Sequence, residues 1–148
     1  MATIKRNAHV TWHGNIAQGS GSLTTGSGAL KDLNLSWTAR SEGVAGKTNP
    51  EELLAAAHAE CYAMSASGAL TRAGHTPDEL TVEAVCSLDP KEGGGFKIST
   101  MELHLSGRVP GLDQAEFARI AAEAEKGCPV SNALRQGVEI HLKAELVG

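Results

Sequence analysis

Three cysteines, Cys61, Cys86 and Cys128, are the side chains of this sequence best suited to covalent chemistry. Cys128 precedes a proline and an apolar stretch, which predicts that it caps the start of a short helix. Unpaired N–H groups and the helix dipole favour a thiolate at such a position. Cys61 lies inside an alanine-rich helical segment, and Cys86 shares the apolar phase of a strand. Position alone therefore favours core packing for Cys61 and Cys86 and leaves the role of Cys128 open.

A metal site is one alternative that these residues raise, and their spacing argues against it. His58 and Cys61 stand three residues apart on one helical face, and Cys128 could add a ligand. The helical segment has no C-x-x-C or H-x-x-x-H pair, so we expect no metal there. We assign His58 to helix packing with a local hydrogen bond. The glycine run 93–95 is predicted to be a turn, because no strand–loop–helix unit surrounds it to hold phosphate.

The composition argues against several classes of partner. The 148 residues carry a net charge of -4 and no run of Lys or Arg, which argues against nucleic-acid binding. No apolar stretch reaches the roughly 20 residues that a membrane span needs, and the first residues lack the apolar region of a signal peptide. We therefore expect a cytoplasmic protein, in which an important thiol is catalytic or redox-active rather than part of a disulfide framework.

The hydrophobic pattern predicts one α+β domain over residues 1–148. Polar segments on either side of a turn near residues 14–19 predict short paired strands at residues 8–12 and 20–25, and alternating apolar residues predict strands at residues 33–40, 80–88, 101–105 and 138–146. Helices are predicted over residues 50–73, from Asp113 to about residue 126, and from residue 129 to just before Gly137. Asn49 and Asp113 are suitable N-caps, while Gly74 and Gly127 are suitable ends. Arg40 falls on the polar phase of its predicted strand.

The helix over residues 50–73 is predicted to be enclosed by other parts of the protein. It is rich in alanine and would be roughly 36 Å long, with few large groups on any face. Neighbouring elements can therefore approach it closely on several sides. A compact monomer of this length is itself only about that wide. We expect a second copy of the chain to cover part of the helix.

Three segments, in the same order along the chain, resemble the signature regions of the OsmC/Ohr family of thiol peroxidases. They are TARSEG, GKTNPEELLAAAHAECYAM and KGCPVSNALRQGVEIHLKAEL. The opening residues also resemble the osmotically inducible OsmC branch. The resemblance implies an OsmC-like α+β fold, with antiparallel-rich sheets wrapping long central helices in an intertwined homodimer. It also implies that organic hydroperoxides are reduced, and hydrogen peroxide less well, without a cofactor.

The resemblance also implies roles for individual residues. Cys61 matches the peroxidatic cysteine and Cys128 the resolving cysteine, whereas Cys86 matches no catalytic position. Arg40, within TARSEG, matches the arginine that activates the thiolate. Glu51 matches the carboxylate that holds this arginine.

The expected cycle begins when the Cys61 thiolate attacks a hydroperoxide and becomes a sulfenic acid. Cys128 resolves it to a disulfide, and an external dithiol, of the lipoyl type in this family, reduces the disulfide. A thiol of ordinary pKa near 8.5 is mostly protonated at neutral pH, and burial raises that pKa further. A fixed guanidinium lowers it. Glu60 replaces the small residue usual before the peroxidatic cysteine, so it either faces outward or slows the enzyme by making the site more negative.

One implied role conflicts with helix geometry. In a straight helix Glu51 stands about 15 Å along the axis from Cys61, further than one arginine comfortably bridges. We therefore expect either a distortion near residues 55–58 or an Arg40–Glu51 pair that acts only in some conformations.

Two other functions stay open on the sequence. One is a dimeric module that binds a hydrophobic ligand or senses redox state without turnover. The other is a thiol–disulfide oxidoreductase that acts on proteins.

Overall fold

The structure, a computed structural model, describes residues 3–148. Its contacts divide the chain into two compact units, one ending at Pro50 and the other running from Glu51 to Gly148. The elements in chain order are β1 (Ala8–His13), β2 (Ser20–Thr25), β3 (Leu33–Leu35), α1 (Trp37–Ser41), α2 (Pro50–Arg72), β4 (Glu79–Pro90), β5 (Phe96–Arg108), α3 (Gln114–Lys126), α4 (Pro129–Leu134) and β6 (Glu139–Leu146). The predicted α+β class is confirmed, and the single domain stays a prediction.

The first unit contains a three-stranded antiparallel sheet in the order β1-β2-β3. Ala8 pairs with Thr25 and His13 with Ser20, so β1 and β2 form a regular hairpin. The two paired strands predicted at residues 8–12 and 20–25 are confirmed.

The strand predicted over residues 33–40 is wrong beyond Leu35, where the chain turns into the short helix α1. The Ser36 hydroxyl accepts a hydrogen bond of 3.1 Å from the Ala39 N–H and so caps this helix. Ala39 is fully buried. A local cap of this kind competes with strand pairing, and it outweighs the alternating pattern that suggested a strand. Arg40 therefore lies on a helix.

The second unit contains a mixed sheet in the order β4-β5-β6. β4 and β5 form a long antiparallel hairpin, closed by a turn in which the Lys91 N–H donates to the Gly95 carbonyl. β6 then pairs with β5 in parallel, with Thr100 opposite Glu139. The strands predicted at residues 80–88, 101–105 and 138–146 are confirmed, although β6 begins at Glu139.

The core of the second unit lies between this sheet and the helices. Most of its members are side chains that point inward from α2, β5 and α3. They are Tyr62, Ala66, Leu70, Met101, Leu103, Leu105, Phe117, Ile120, Ala121 and Ala124. Few of them are aromatic, so dense packing of medium and small side chains must stabilise this core.

The helix α2 is uninterrupted from Pro50 to Arg72. It ends with the hydrogen-bond pair typical of a glycine C-cap: the His75 N–H donates to the Leu70 carbonyl and the Gly74 N–H to the Thr71 carbonyl. The distortion predicted near residues 55–58 is wrong. These positions hold alanine and histidine without proline or glycine, so nothing local interrupts the helix.

The two faces of α2 differ in exposure. His58, Tyr62, Ala66 and Leu70 recur at helical spacing and are buried, while Met64 is 66% exposed. Within residues 3–148, no helix combines the length and apolarity needed to cross a bilayer. An exposed apolar side chain on an alanine-rich face is consistent with the second copy expected there, which stays a prediction.

Gly107 of β5 allows α3 to lie close to the sheet, and its substitution tests this packing. A Cβ atom there would approach Phe117 to 2.7 Å and Leu80 to 3.0 Å. We expect Gly107→Ala to lower the free energy of unfolding by about 1–3 kcal/mol, measured by urea denaturation, because the added methyl overpacks the core. Gly137→Ala is the matched control, since a Cβ there meets nothing within 4 Å. Equal stability of the two variants would contradict the described packing.

Candidate active site

The structure brings the sulfur atoms of Cys61 and Cys128 to 3.4 Å, with the Cys128 thiol donating to Cys61. Both thiols are free, and the separation exceeds the bond of about 2.05 Å that a disulfide would have. Cys128 is fully buried, whereas Cys61 is partly exposed in the chain. A reagent from solvent therefore reaches Cys61 first, and Cys128 stands behind it.

Cys128 owes its position to the short connection between α3 and α4. Asp113 caps α3 through the Glu116 N–H, and α3 ends at Gly127, both as predicted. Cys128 is then the N-cap of α4, but its thiol makes no capping hydrogen bond. The side chain is consequently available to contact α2 rather than its own helix.

Two hydroxyl groups of α2 bond to the backbone of α3 beside the sulfur pair. The Tyr62 hydroxyl donates to the Ala121 carbonyl at 2.8 Å, and the Ser65 hydroxyl donates to the Ala124 carbonyl at 2.7 Å. Burial, with the charges of Glu125 and Cys128, raises the pKa of Tyr62. The phenol therefore stays protonated and remains a donor, which fixes the position of α2 along α3.

His58 joins α2 to α4. Its Nε2 lies 2.6 Å from the Ser131 Oγ, and both side chains are fully buried. Burial lowers the pKa of His58, Glu125 opposes this shift, and Arg135 adds to it. The imidazole is thus neutral at pH 7. The prediction of a packed histidine is right, but its hydrogen bond is not local, since the partner lies 73 residues along the chain.

Glu125 and Arg135 form an ion pair that was not predicted from the sequence. Arg135 Nη1 lies 2.9 Å from Glu125 Oε1, although the N–H does not point at the oxygen with hydrogen-bond geometry. The Glu125 side chain is only 10% exposed. Glu125 follows Ala121 by four residues and Phe117 by eight, so it lies on the apolar face of α3. This helical spacing could have predicted a buried carboxylate.

The surroundings of Cys61 favour the neutral thiol. Burial raises its pKa most; the hydrogen bond from the Val130 N–H lowers it, and contact with Cys128 and the charge of Glu60 raise it. Glu60 is itself exposed, so it both faces outward and makes the site more negative. These groups therefore place the two sulfurs for reaction without activating the first one.

The sequence and the fold match one family of known proteins. The model of the OsmC-like protein family covers residues 41–143. Peroxiredoxin OsmC of Escherichia coli (strain K12) is 40% identical over 138 residues, which are 93% of this chain and 95% of that protein. The chain belongs to the OsmC/Ohr family.

Other OsmC/Ohr proteins agree with this result. The organic hydroperoxide resistance protein of Xanthomonas axonopodis pv. citri (strain 306) is 35% identical and covers 89% of this chain and 92% of that protein. The crystal structure of an organic hydroperoxide resistance protein OsmC from Legionella pneumophila matches with a TM-score of 0.75 at 29% identity, over 99% of this chain and 100% of that one. The OsmC-like fold expected from the sequence is confirmed.

Three further residues considered in the sequence of this OsmC/Ohr chain lie outside the pair of sulfurs. They are Cys86, Glu51 and Arg40. Cys86 packs on β4, and burial followed by the charge of Glu51 raises its pKa. Glu51 lies in the first turn of α2 and is 8% exposed. Arg40 is partly buried in α1, in the first unit. Residues 3–148 contain no cluster of three or more His, Cys, Asp or Glu arranged to hold a metal.

Glu60→Gln tests the electrostatics of this OsmC/Ohr site. Removing the negative charge is expected to lower the pKa of Cys61, so its alkylation by iodoacetamide should reach half-maximal rate at lower pH. The variants are compared in a background in which Cys86 and Cys128 are serine, so that one thiol reacts. The shift should shrink at high salt, because Glu60 is exposed. Glu83→Gln on β4 is the control, because it makes the same charge change and should not shift the pH dependence of Cys61 alkylation. An equally large shift in this variant would contradict the effect assigned to Glu60.

Proposed function

We propose that this chain is a two-cysteine peroxidase that reduces organic hydroperoxides to alcohols, and hydrogen peroxide less well. As an OsmC/Ohr protein it is a thiol-dependent peroxidase. The observation that carries the two-cysteine route is the 3.4 Å contact between a partly exposed Cys61 and a buried Cys128. The proposed setting is the cytoplasm, where dithiols are kept reduced, and the proposed role is defence against oxidative stress.

The first step consumes the peroxide. The Cys61 thiolate attacks the terminal oxygen of ROOH, so an S–O bond forms while the O–O bond breaks. The alkoxide that leaves takes up a proton and departs as the alcohol ROH. Sulfur is oxidised to the sulfenic acid and the peroxide is reduced by two electrons.

The second step uses Cys128. Its sulfur attacks the sulfenic sulfur of Cys61; an S–S bond forms, and the hydroxyl leaves as water with the thiol proton. The sulfurs must close from 3.4 Å to about 2.05 Å, a shift that side chains and the end of a short helix can supply. An external dithiol, proposed to be of the lipoyl type, then reduces the disulfide by exchange and becomes oxidised itself.

The surroundings of Cys61 support an apolar substrate. Cys61 packs against the hydrophobic core together with Leu54 and Ala55, and alanine occupies the nearby positions 57, 59 and 63 of α2. Such a lining suits the alkyl group of an organic hydroperoxide better than a small polar oxidant. The names of the Escherichia and Xanthomonas relatives agree with a peroxide substrate.

We further propose that Arg40, held by Glu51, activates the thiolate of the partner subunit in a homodimer. Because α2 is uninterrupted, Glu51 stands about 15 Å along the axis from Cys61 of its own chain. An arginine held at Glu51 is thus badly placed for that sulfur. The exposed face of α2 carries Met64 and gives a second copy a surface to cover, which would bring another Cys61 into reach.

The two-cysteine route predicts three distinct variant behaviours. With cumene hydroperoxide and a dithiol, wild type should turn over, and without the dithiol one equivalent of peroxide should remove two thiols. Cys61→Ser should be inactive, because the thiol that attacks the peroxide is missing, and Cys128→Ser without the dithiol should stop at a trapped sulfenic acid. Cys86→Ser is the control and should behave as wild type. An active Cys61→Ser protein would exclude the route, and an inert wild type would favour a sensor or binding module.

A mixed dimer tests the placement of Arg40. Arg40→Met alone should lose roughly 10²-fold or more in peroxidase rate, as when one preorganised electrostatic donor is removed. A dimer of one Arg40→Met subunit and one Cys61→Ser subunit should regain roughly half of the wild-type rate, because one of its two sites is complete. An inactive mixed dimer would show that arginine and cysteine act within one chain.

A further inference from the structure

We propose that His58 and Ser131 are positioning residues that hold α4 against α2, so that Cys128 resolves the Cys61 sulfenic acid before a second peroxide oxidises it. This inference rests on the proposed two-cysteine route and names two residues that act through the cysteines rather than on the substrate.

The spacing along the chain links the two contacts. His58 precedes Cys61 by three residues on α2, and Ser131 follows Cys128 by three residues at the start of α4. Residues three apart are neighbours on a helix surface. The hydrogen bond of 2.6 Å and the sulfur contact of 3.4 Å therefore lie beside one another and join the same two segments.

The other polar contacts of α4 hold it to α3 rather than to α2. Arg135 pairs with Glu125, and the Asn132 side-chain amide donates to the Lys126 carbonyl. The distance between α4 and α2 is therefore set by other contacts. These are apolar packing, the contact between the two sulfurs, the hydrogen bond from the Val130 N–H to Cys61 and the His58–Ser131 bond. A six-residue helix offers little packing area, so a buried hydrogen bond is a large part of what fixes this distance.

The chemical need for this bond arises after the first oxidation. The sulfenic acid of Cys61 has two competing fates. Attack by Cys128 gives the disulfide and water, while a second ROOH transfers an oxygen atom, giving a sulfinic acid and ROH. Any increase in the sulfur–sulfur distance slows the first path and leaves the second unchanged. The full burial of His58 and Ser131 keeps water from competing for their bond.

The test is the ratio of two measured rates. Ser131→Ala and His58→Leu remove the bond, and rapid mixing with one peroxide equivalent separates oxidation of Cys61 from disulfide formation. We expect disulfide formation to slow roughly tenfold or more relative to oxidation, because small displacements of reacting atoms cost large rate factors. Under excess peroxide, mass spectrometry should find more Cys61 sulfinic acid than in wild type.

Conservative variants separate positioning from a loss of folding. Ser131→Thr keeps the hydroxyl and His58→Gln keeps a nitrogen near the Nε2 position, so both should recover much of the wild-type ratio. Combining Ser131→Ala with His58→Leu should add little to either change alone, because both remove one bond. Ser106→Ala on β5 is the control serine and should leave the ratio unchanged.

The outcomes distinguish this inference from the proposed function. The positioning role is overturned if Ser131→Ala keeps the wild-type ratio of disulfide formation to Cys61 oxidation. It is also overturned if the rates of both steps fall equally in every variant. In either case the two-cysteine route stands. A wild-type protein that oxidises Cys61 and never forms a disulfide overturns the route itself.

Discussion

The close approach of α4 to α2 is the constraint on which the rest of the site depends. It sets the distance between Cys61 and Cys128, buries His58 against Ser131, and brings a backbone N–H of α4 to a sulfur of α2. Such an approach needs small side chains where the two segments meet, and Cys61, Cys128 and Ser131 are all small.

The same approach has an electrostatic consequence. Burial, Cys128 and Glu60 together favour the protonated Cys61, and one backbone N–H opposes them. A neutral buried thiol reacts slowly with oxidants in general. The contacts that hold the two sulfurs together in the second unit therefore do not activate Cys61; in the proposed mechanism the guanidinium of Arg40 favours its charged form.

Features fixed by local sequence were predictable, and features fixed by distant contacts were not. The ends of α2 and α3 followed from Pro50, Gly74 and Asp113, because caps act within a few residues. The strand predicted through Arg40 failed because one serine cap outweighed an alternating pattern. The parallel pairing of β6 left no mark in its own sequence, since its alternation fits either direction.

The site divides in the same way. Its two cysteines were recognised from motifs that resemble a known family, not from their positions, which favoured core packing for Cys61. The hydrogen bond of His58 joins residues 73 positions apart, and no periodic pattern could reveal it. Glu125 was visible as a charge on an apolar helical face, yet its partner could only be identified in three dimensions.

The chain between the two cysteines carries a consequence for the redox potential. Cys61 and Cys128 are 67 positions apart, and the intervening chain contains β4, β5 and α3. The proposed disulfide would close a covalent ring around much of the second unit, and rings of this size restrict the unfolded chain by about 4 kcal/mol. By the thermodynamic cycle, folding then favours the disulfide by the same amount, equivalent to roughly 90 mV for a two-electron couple. The folded protein would therefore hold its disulfide more firmly than the same two thiols in the unfolded chain, and the reductant of the proposed cycle has to supply that difference.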